Sequence, residues 1–219
     1  MKTLAASIFV ERPTESLDWV IYILVGSLLV IVISRVLFAN NVESLRKIER
    51  FQEVNDNQGP FAFVCQLLFS VLVSTLIMNY LTNEYNFIFH TPILKVLAVS
   101  FIILLVFALR NLLGMIAAYA MGISFDQNFN LKTSNFYHAY AVGVLWIAVL
   151  LFYFSGISYK IPLLIGTGII LIIIRGLQYA YKFQNQNDKQ SKIWYYNILY
   201  LCALEILPLL VLFKFLIMW

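Results

Sequence analysis

Charge is what this chain has least of. Asp, Glu, Lys and Arg make up 12% of its 219 residues, whereas hydrophobic residues make up 62%. A soluble domain carries about 25% charged residues and is about half apolar, so the composition excludes an ordinary water-soluble protein. Cysteine is also scarce: the two, Cys65 and Cys202, both fall in apolar runs. A disulfide framework is therefore not expected. Histidine is equally rare, with His90 in an outer loop and His138 in "FYHAY". Two isolated histidines make a poor metal site. The chain also lacks a phosphate-cradling glycine loop, a paired metal-ligand spacing and a Gly-x-Ser-x-Gly elbow. No catalytic residue, cofactor or metal is expected from these absences. The opening "MKTLAASIFVERPTES" has neither a long apolar core nor a small-residue cleavage site. The first span is accordingly expected to stay as an anchor rather than be removed.

What remains is long apolar runs. A bilayer core takes roughly 20 consecutive apolar residues per helix, and six candidate spans are present: 18–38, 61–82, 92–122, 134–156, 161–182 and 193–218. The expected fold is an all-α integral membrane bundle of six transmembrane helices with short loops, one polytopic domain over 1–219. Lys and Arg near span ends favour the cytoplasm. Arg35, Arg46, Lys47, Arg50, Arg110, Lys132, Arg175, Lys182, Lys189 and Lys192 group with the first, third and fifth loops, leaving Lys2, Arg12, Lys95, Lys160 and Lys214 opposite. This bias predicts both termini outside the cytoplasm. The net charge of +4 reads as a topology signal, with no nucleic acid partner implied.

The longest connector, 39–60, carries Val42, Leu45, Ile48 and Phe51 at spacings of three, which an amphipathic helix places on one side. Its other face is charged, so it reads as a cytoplasmic interfacial helix or as a docking surface for a partner. "QNQNDKQSK" (184–192) is polar loop, and "TNEYNFIFHTP" (82–92) is an outer loop with aromatics suited to headgroups.

Ionisable residues inside the spans are the informative ones, because a charge at the bilayer centre costs roughly 2.5–3.5 kcal/mol on insertion scales. Arg35, Arg110 and Arg175 all lie in inward-running spans. Snorkelling at cytoplasmic helix ends accounts for them more simply than a threefold repeat does. With Asn111 and His138, Arg35 and Arg175 form a candidate headgroup or anion cluster on the cytoplasmic side. His138, near the start of the fourth span, reads as an interfacial hydrogen-bonding residue rather than a general base. Arg110 lies near the middle of the span 92–122 and shares a stripe with Gly114, Ala118 and Gly122, a small-residue pattern that admits a neighbouring helix. In "LYLCALEILPLLVLF" (199–213), Glu205 lies near mid-span and Pro208 removes a backbone N–H, bending the helix just beyond the carboxylate. Glu205 is expected to pair with Arg110, the charge at comparable depth.

That same stretch, "YLCALEILPLLVLFK" (200–214), with its Cys-x-x-Glu-Ile-x-Pro core, resembles the bacterial multispanning membrane family catalogued as domain of unknown function 4271. Length, span count and "LRNLLG" (109–114) are similar too. The resemblance implies a bacterial inner-membrane protein and supplies no catalytic residues. The expected function is a non-enzymatic accessory or scaffold subunit that binds another membrane protein in an envelope complex. The alternatives are a small proton- or ion-coupled transporter using Glu205, with Gln66, Ser70 and Ser74 on one stripe, and a lipid-headgroup-modifying enzyme.

Overall fold

A computed structural model describes residues 18–54, 57–78, 91–120, 127–155 and 159–185, with side chains omitted at 113–120, 127–131 and 182–185. Within them the chain is all helical, in the order α1 (Asp18–Leu37), α2 (Ala39–Ser44), α3 (Ile48–Glu53), α4 (Gln58–Ile77), α5 (Pro92–Ala120), α6 (Gln127–Phe154) and α7 (Lys160–Asn185). Five of these are long and apolar enough to cross a membrane, where six spans are expected from the sequence. The sixth, 193–218, lies outside the described residues, as do Glu205, Pro208 and Gly122.

Local chemistry sets the helix boundaries. Pro60, Pro92 and Pro162 all stand in the first turn of a helix, where a missing N–H costs no intrahelical bond. The connector 39–60 is not one amphipathic helix. It breaks at Leu45–Lys47, where Leu45, Arg46 and Lys47 donate to the carbonyls of Val42, Glu43 and Ser44 at 3.3, 3.5 and 3.1 Å. Lys47 is extended. The Gln58 side chain then closes the next corner, donating to the carbonyls of Phe51 at 3.1 Å and Val54 at 2.6 Å. Those carbonyls end α3 and have no helical partner.

The break turns the apolar stripe toward the protein. Phe51 is fully buried and packs with Phe61, Cys65 and Phe136, with Phe38, Val42, Leu45 and Ile48 around them. Polar bonds fasten the same corner: Lys132 donates to the Gln52 carbonyl at 2.7 Å and the Tyr140 hydroxyl to the Leu45 carbonyl at 2.7 Å. The helix α6 starts at Gln127, ahead of the expected span start at 134. Its polar first turns reach beyond the apolar run to hold α3.

At the opposite end Trp19 packs edge-on against Tyr153 with centroids 5.6 Å apart, and the Tyr153 hydroxyl donates to the Thr75 carbonyl at 2.8 Å. With Phe38, Phe61 and Phe136 meeting at the connector end, α4 and α6 run parallel to each other and antiparallel to α1. Between the two ends Leu72, Leu145, Val149 and Phe152 are almost wholly buried, joined by Val20, Leu24 and Val96. The central helices are α4 and α6, 44% and 50% of whose spans are buried, against 11% for α7. The outer faces are apolar: Leu28, Leu29, Val32 and Val36 on α1 and Ile165, Ile169, Ile172 and Ile173 on α7 are exposed. These are the surfaces a hydrocarbon environment would cover, and the chain reads as a multi-pass membrane protein.

Phe51→Ala should lower unfolding stability in detergent by roughly 3–5 kcal/mol, the range for truncating a buried phenylalanine. Phe63→Ala, at a position 59% exposed, should change it by less than about 0.5 kcal/mol. Thermal unfolding of the purified variants checks both.

Candidate functional site

The most polar part of the described interior lies between α6 and α7. His138, 3% exposed, faces Arg175, whose Nη2 is 3.3 Å from the imidazole Nε2. A guanidinium only donates, so Nε2 accepts and the ring proton belongs on Nδ1. That nitrogen is 2.7 Å from the Ser134 carbonyl, which accepts it, and 3.3 Å from Ser134 Oγ. The two contacts agree on one tautomer. Arg175 Nη1 also donates to Gln178 Oε1 at 2.7 Å, and Gln178 is 2% exposed.

Aromatic rings hold the imidazole from the other side. Phe69 of α4 and Phe107 of α5 each meet His138 edge-on with centroids 5.6 Å apart, and 5.7 Å from one another. The Arg110 guanidinium carbon lies 5.5 Å from the Phe107 ring centroid, a cation–π contact within one helix turn. Arg110, Phe107, His138 and Arg175 thus form a continuous string across three helices.

His138 stands six residues into the apolar stretch Lys132–Phe154 of α6. At about 1.5 Å of rise per residue, His138 is about 16 Å along α6, Phe69 about 16 Å along α4, and Arg175 about 22 Å along α7. Counted from the connector-side ends of their apolar stretches, Lys132 on α6 and Tyr181 on α7, His138 and Arg175 are each about 9 Å in. The sequence placed His138 at the start of a span because the polar run before it looks like loop; the helix begins eleven residues earlier, at Gln127.

Beside the string is a cavity of about 40 Å³ lined by Phe69, Tyr137, His138, Ala141, Leu171, Ile174, Arg175 and Gln178. About 10–15 Å³ suffices for one water, so it could take a few waters or a carboxylate. Its polar edge is the imidazole, the guanidinium and the Gln178 amide. Such a site can bind and orient a small anionic or hydrogen-bonding group. Among the described residues no three His, Cys, Asp or Glu side chains gather to hold a metal.

Of the expected headgroup cluster, His138 and Arg175 come together. Arg35 is exposed near the end of α1 and Asn111 is half-buried on α5, and no hydrogen bond joins either to the pair among the described residues. Gly114 and Ala118 are in α5, within the stretch whose side chains are not described. Ser70 and Ser74 are fully buried, and each hydroxyl donates to a carbonyl of its own helix, Leu67 and Val71, both at 2.8 Å. Sequence reasoning missed Gln178, Ser134, Phe69 and Phe107. The first two carried a usable signal: Gln178 is three residues from Arg175 and Ser134 four from His138, spacings that share a helix face.

His138→Phe preserves the ring between Phe69 and Phe107 but removes both nitrogens. It should cost about 1–3 kcal/mol through the unpaired groups left on Arg175 and Ser134, whereas Ile147→Val on the exposed face of α6 should cost less than about 0.5 kcal/mol. Equal unfolding midpoints for the two variants would show that aromatic packing alone holds this site.

A family model described as Domain of unknown function (DUF4271) matches residues 20–216, and the chain belongs to that family. No curated protein and no solved structure matches it.

Proposed function

We propose that this member of the domain-of-unknown-function 4271 family is a non-enzymatic accessory or scaffold subunit of the bacterial inner membrane, binding another membrane protein within an envelope complex. The observation that carries the reading is how the interior hydroxyls are used. Ser70, Ser74 and Thr75 have no exposed surface, and all three donate to carbonyls of their own helix. Hydroxyls bonded this way leave the helix faces free to pack against one another, which suits an assembly subunit. Ser70 and Ser74 of the stripe expected to line a transport path thus bond within α4, and wide apolar faces on α1 and α7 are available to a neighbour or lipid.

The competing reading, a small proton- or ion-coupled transporter, draws on the polar string and on Glu205. The lipid-headgroup enzyme has less support, since Arg35 and Asn111 make no hydrogen bond with His138 or Arg175. Both termini are proposed to be outside the cytoplasm, with the 39–60 connector inside, from the distribution of Lys and Arg.

Gentle solubilisation followed by mass spectrometry should recover an integral membrane partner in fixed ratio to this chain. Isolation of the chain alone, together with a proton flux in proteoliposomes that Glu205→Gln abolishes, would favour the transporter. For orientation, in a background lacking Cys65 and Cys202, an impermeant thiol reagent on intact cells should modify Asn86→Cys and spare Asn55→Cys; the reverse pattern inverts the topology.

A further inference from the structure

We propose that the basic residues at the connector end of the bundle, Arg35, Arg46, Lys47 and Arg50, bind the headgroups of anionic phospholipid. This assignment rests on the chain's crossing a membrane and is independent of the scaffold reading above.

The connector lies across one end of the apolar stretches. Phe51 of α3 packs on Phe61 and Phe136, which stand three residues beyond Gln58 and four beyond Lys132, where the apolar stretches of α4 and α6 begin. At helical rise those offsets are about 4.5 and 6 Å. Arg35 is two residues, about 3 Å, before the end of α1 at Leu37, and Phe38 just beyond meets the same Phe61 ring with centroids 5.8 Å apart. The helix α3 therefore runs where hydrocarbon gives way to water, at the level of the lipid headgroups.

Helical period separates the connector charges by direction. Neighbouring residues of a helix point about 100° apart. Phe51 points into the bundle and is fully buried. Gln52, one step to one side, gives its amide to Thr133 of α6 at 3.4 Å, so that flank faces the protein. Arg50, one step to the other side, is exposed on the flank turned away from α6. Glu49 and Glu53 are each two steps from Phe51 and exposed, opposite the buried ring and toward water. In α2, Glu43 is likewise exposed and two steps from the buried Asn41. The connector acids thus face water, while Arg50 points sideways into the headgroup layer.

Three more cations share this level. Arg46 and Lys47 occupy the turn between α2 and α3, and both are exposed. Arg35 is exposed on α1 beside Val36 and Leu37, which are 76% and 65% exposed. Among the described residues no side-chain hydrogen bond, ion pair or ring contact engages any of the four. Such a set suits phosphate: a guanidinium binds its oxygens in pairs, and basic residues beside a membrane helix draw anionic lipid. An acidic protein docking from water would meet Glu43, Glu49 and Glu53 first.

The test titrates phosphatidylglycerol or phosphatidylcholine into the full-length protein in detergent and counts bound lipid by native mass spectrometry. Phosphatidylglycerol should bind more tightly than phosphatidylcholine, and raised salt should weaken it. Arg46→Gln combined with Arg50→Gln should weaken it by on the order of twentyfold, about fivefold per cation. These two side chains are exposed, so an unfolding midpoint close to that of the unmodified protein would show that the loss is not one of folding. Lys95→Gln combined with Lys160→Gln removes the same charge at the opposite end of the bundle and should change the affinity by less than about twofold. Equal affinity for the two lipids, an equal loss in the Lys95 and Lys160 variant, or no loss in the Arg46 and Arg50 variant overturns the assignment. Displacement of the lipid by millimolar inorganic phosphate overturns it in favour of a free anion. A co-purifying protein released from the Arg46 and Arg50 variant while phosphatidylglycerol stays bound gives the face to that protein instead.

Discussion

The hydrogen bond between Arg175 and His138 is the interaction around which the described bundle is organised. Hydrocarbon offers no partner to a guanidinium, so a charge within an apolar span is best met by groups of the protein itself. His138 does this as an acceptor, and it can accept only because Ser134 takes the proton on the other ring nitrogen. The bond thus links a backbone carbonyl of α6 to a side chain of α7. It also orders Phe69 and Phe107, which close on the imidazole edge and bring α4 and α5 into the same layer.

The same constraint explains the smaller polar groups. Ser27, Ser34, Ser70, Ser74, Thr75, Ser100 and Thr167 all return their hydroxyl to a carbonyl three or four residues earlier. Each polar side chain is satisfied within its own helix, which frees the contact between helices for apolar packing. Besides the Arg175–His138 contact, inter-helix hydrogen bonds among the described residues include ones directed at backbone carbonyls, as with Tyr153 on Thr75 and Trp146 on Leu24. The connector follows water-side rules instead. Phe51 is buried by the ordinary hydrophobic effect, and Lys132, Gln58 and Tyr140 hold the carbonyls freed where α2 and α3 end.

The proposed role in assembly draws on how this bundle is packed. Its central helices are packed with Leu72, Leu145, Val149 and Phe152, and the one polar string is walled by aromatic rings. Arg110 and Arg175 are used in contacts within the protein, and the outer apolar faces are what the proposed partner would meet.

Composition alone determined that the chain is helical and crosses a membrane, because apolar runs of that length have no other way to satisfy their backbone in lipid. The described helices begin and end close to the runs expected from the sequence, with α6 the exception. Its first turns are polar, and Lys132 and Thr133 there bond to Gln52 of α3, a contact that no local pattern in the sequence reveals. The sequence also singled out His138 and Arg175, since ionisable residues in such company are conspicuous. What it could not give was their contact, 37 positions apart, or the exclusion of Arg35 and Asn111 from it. Neighbours three or four residues apart are legible from helical period. Which faces of two helices meet, and at what height, is decided by packing across the whole bundle, and only the tertiary structure carries that information.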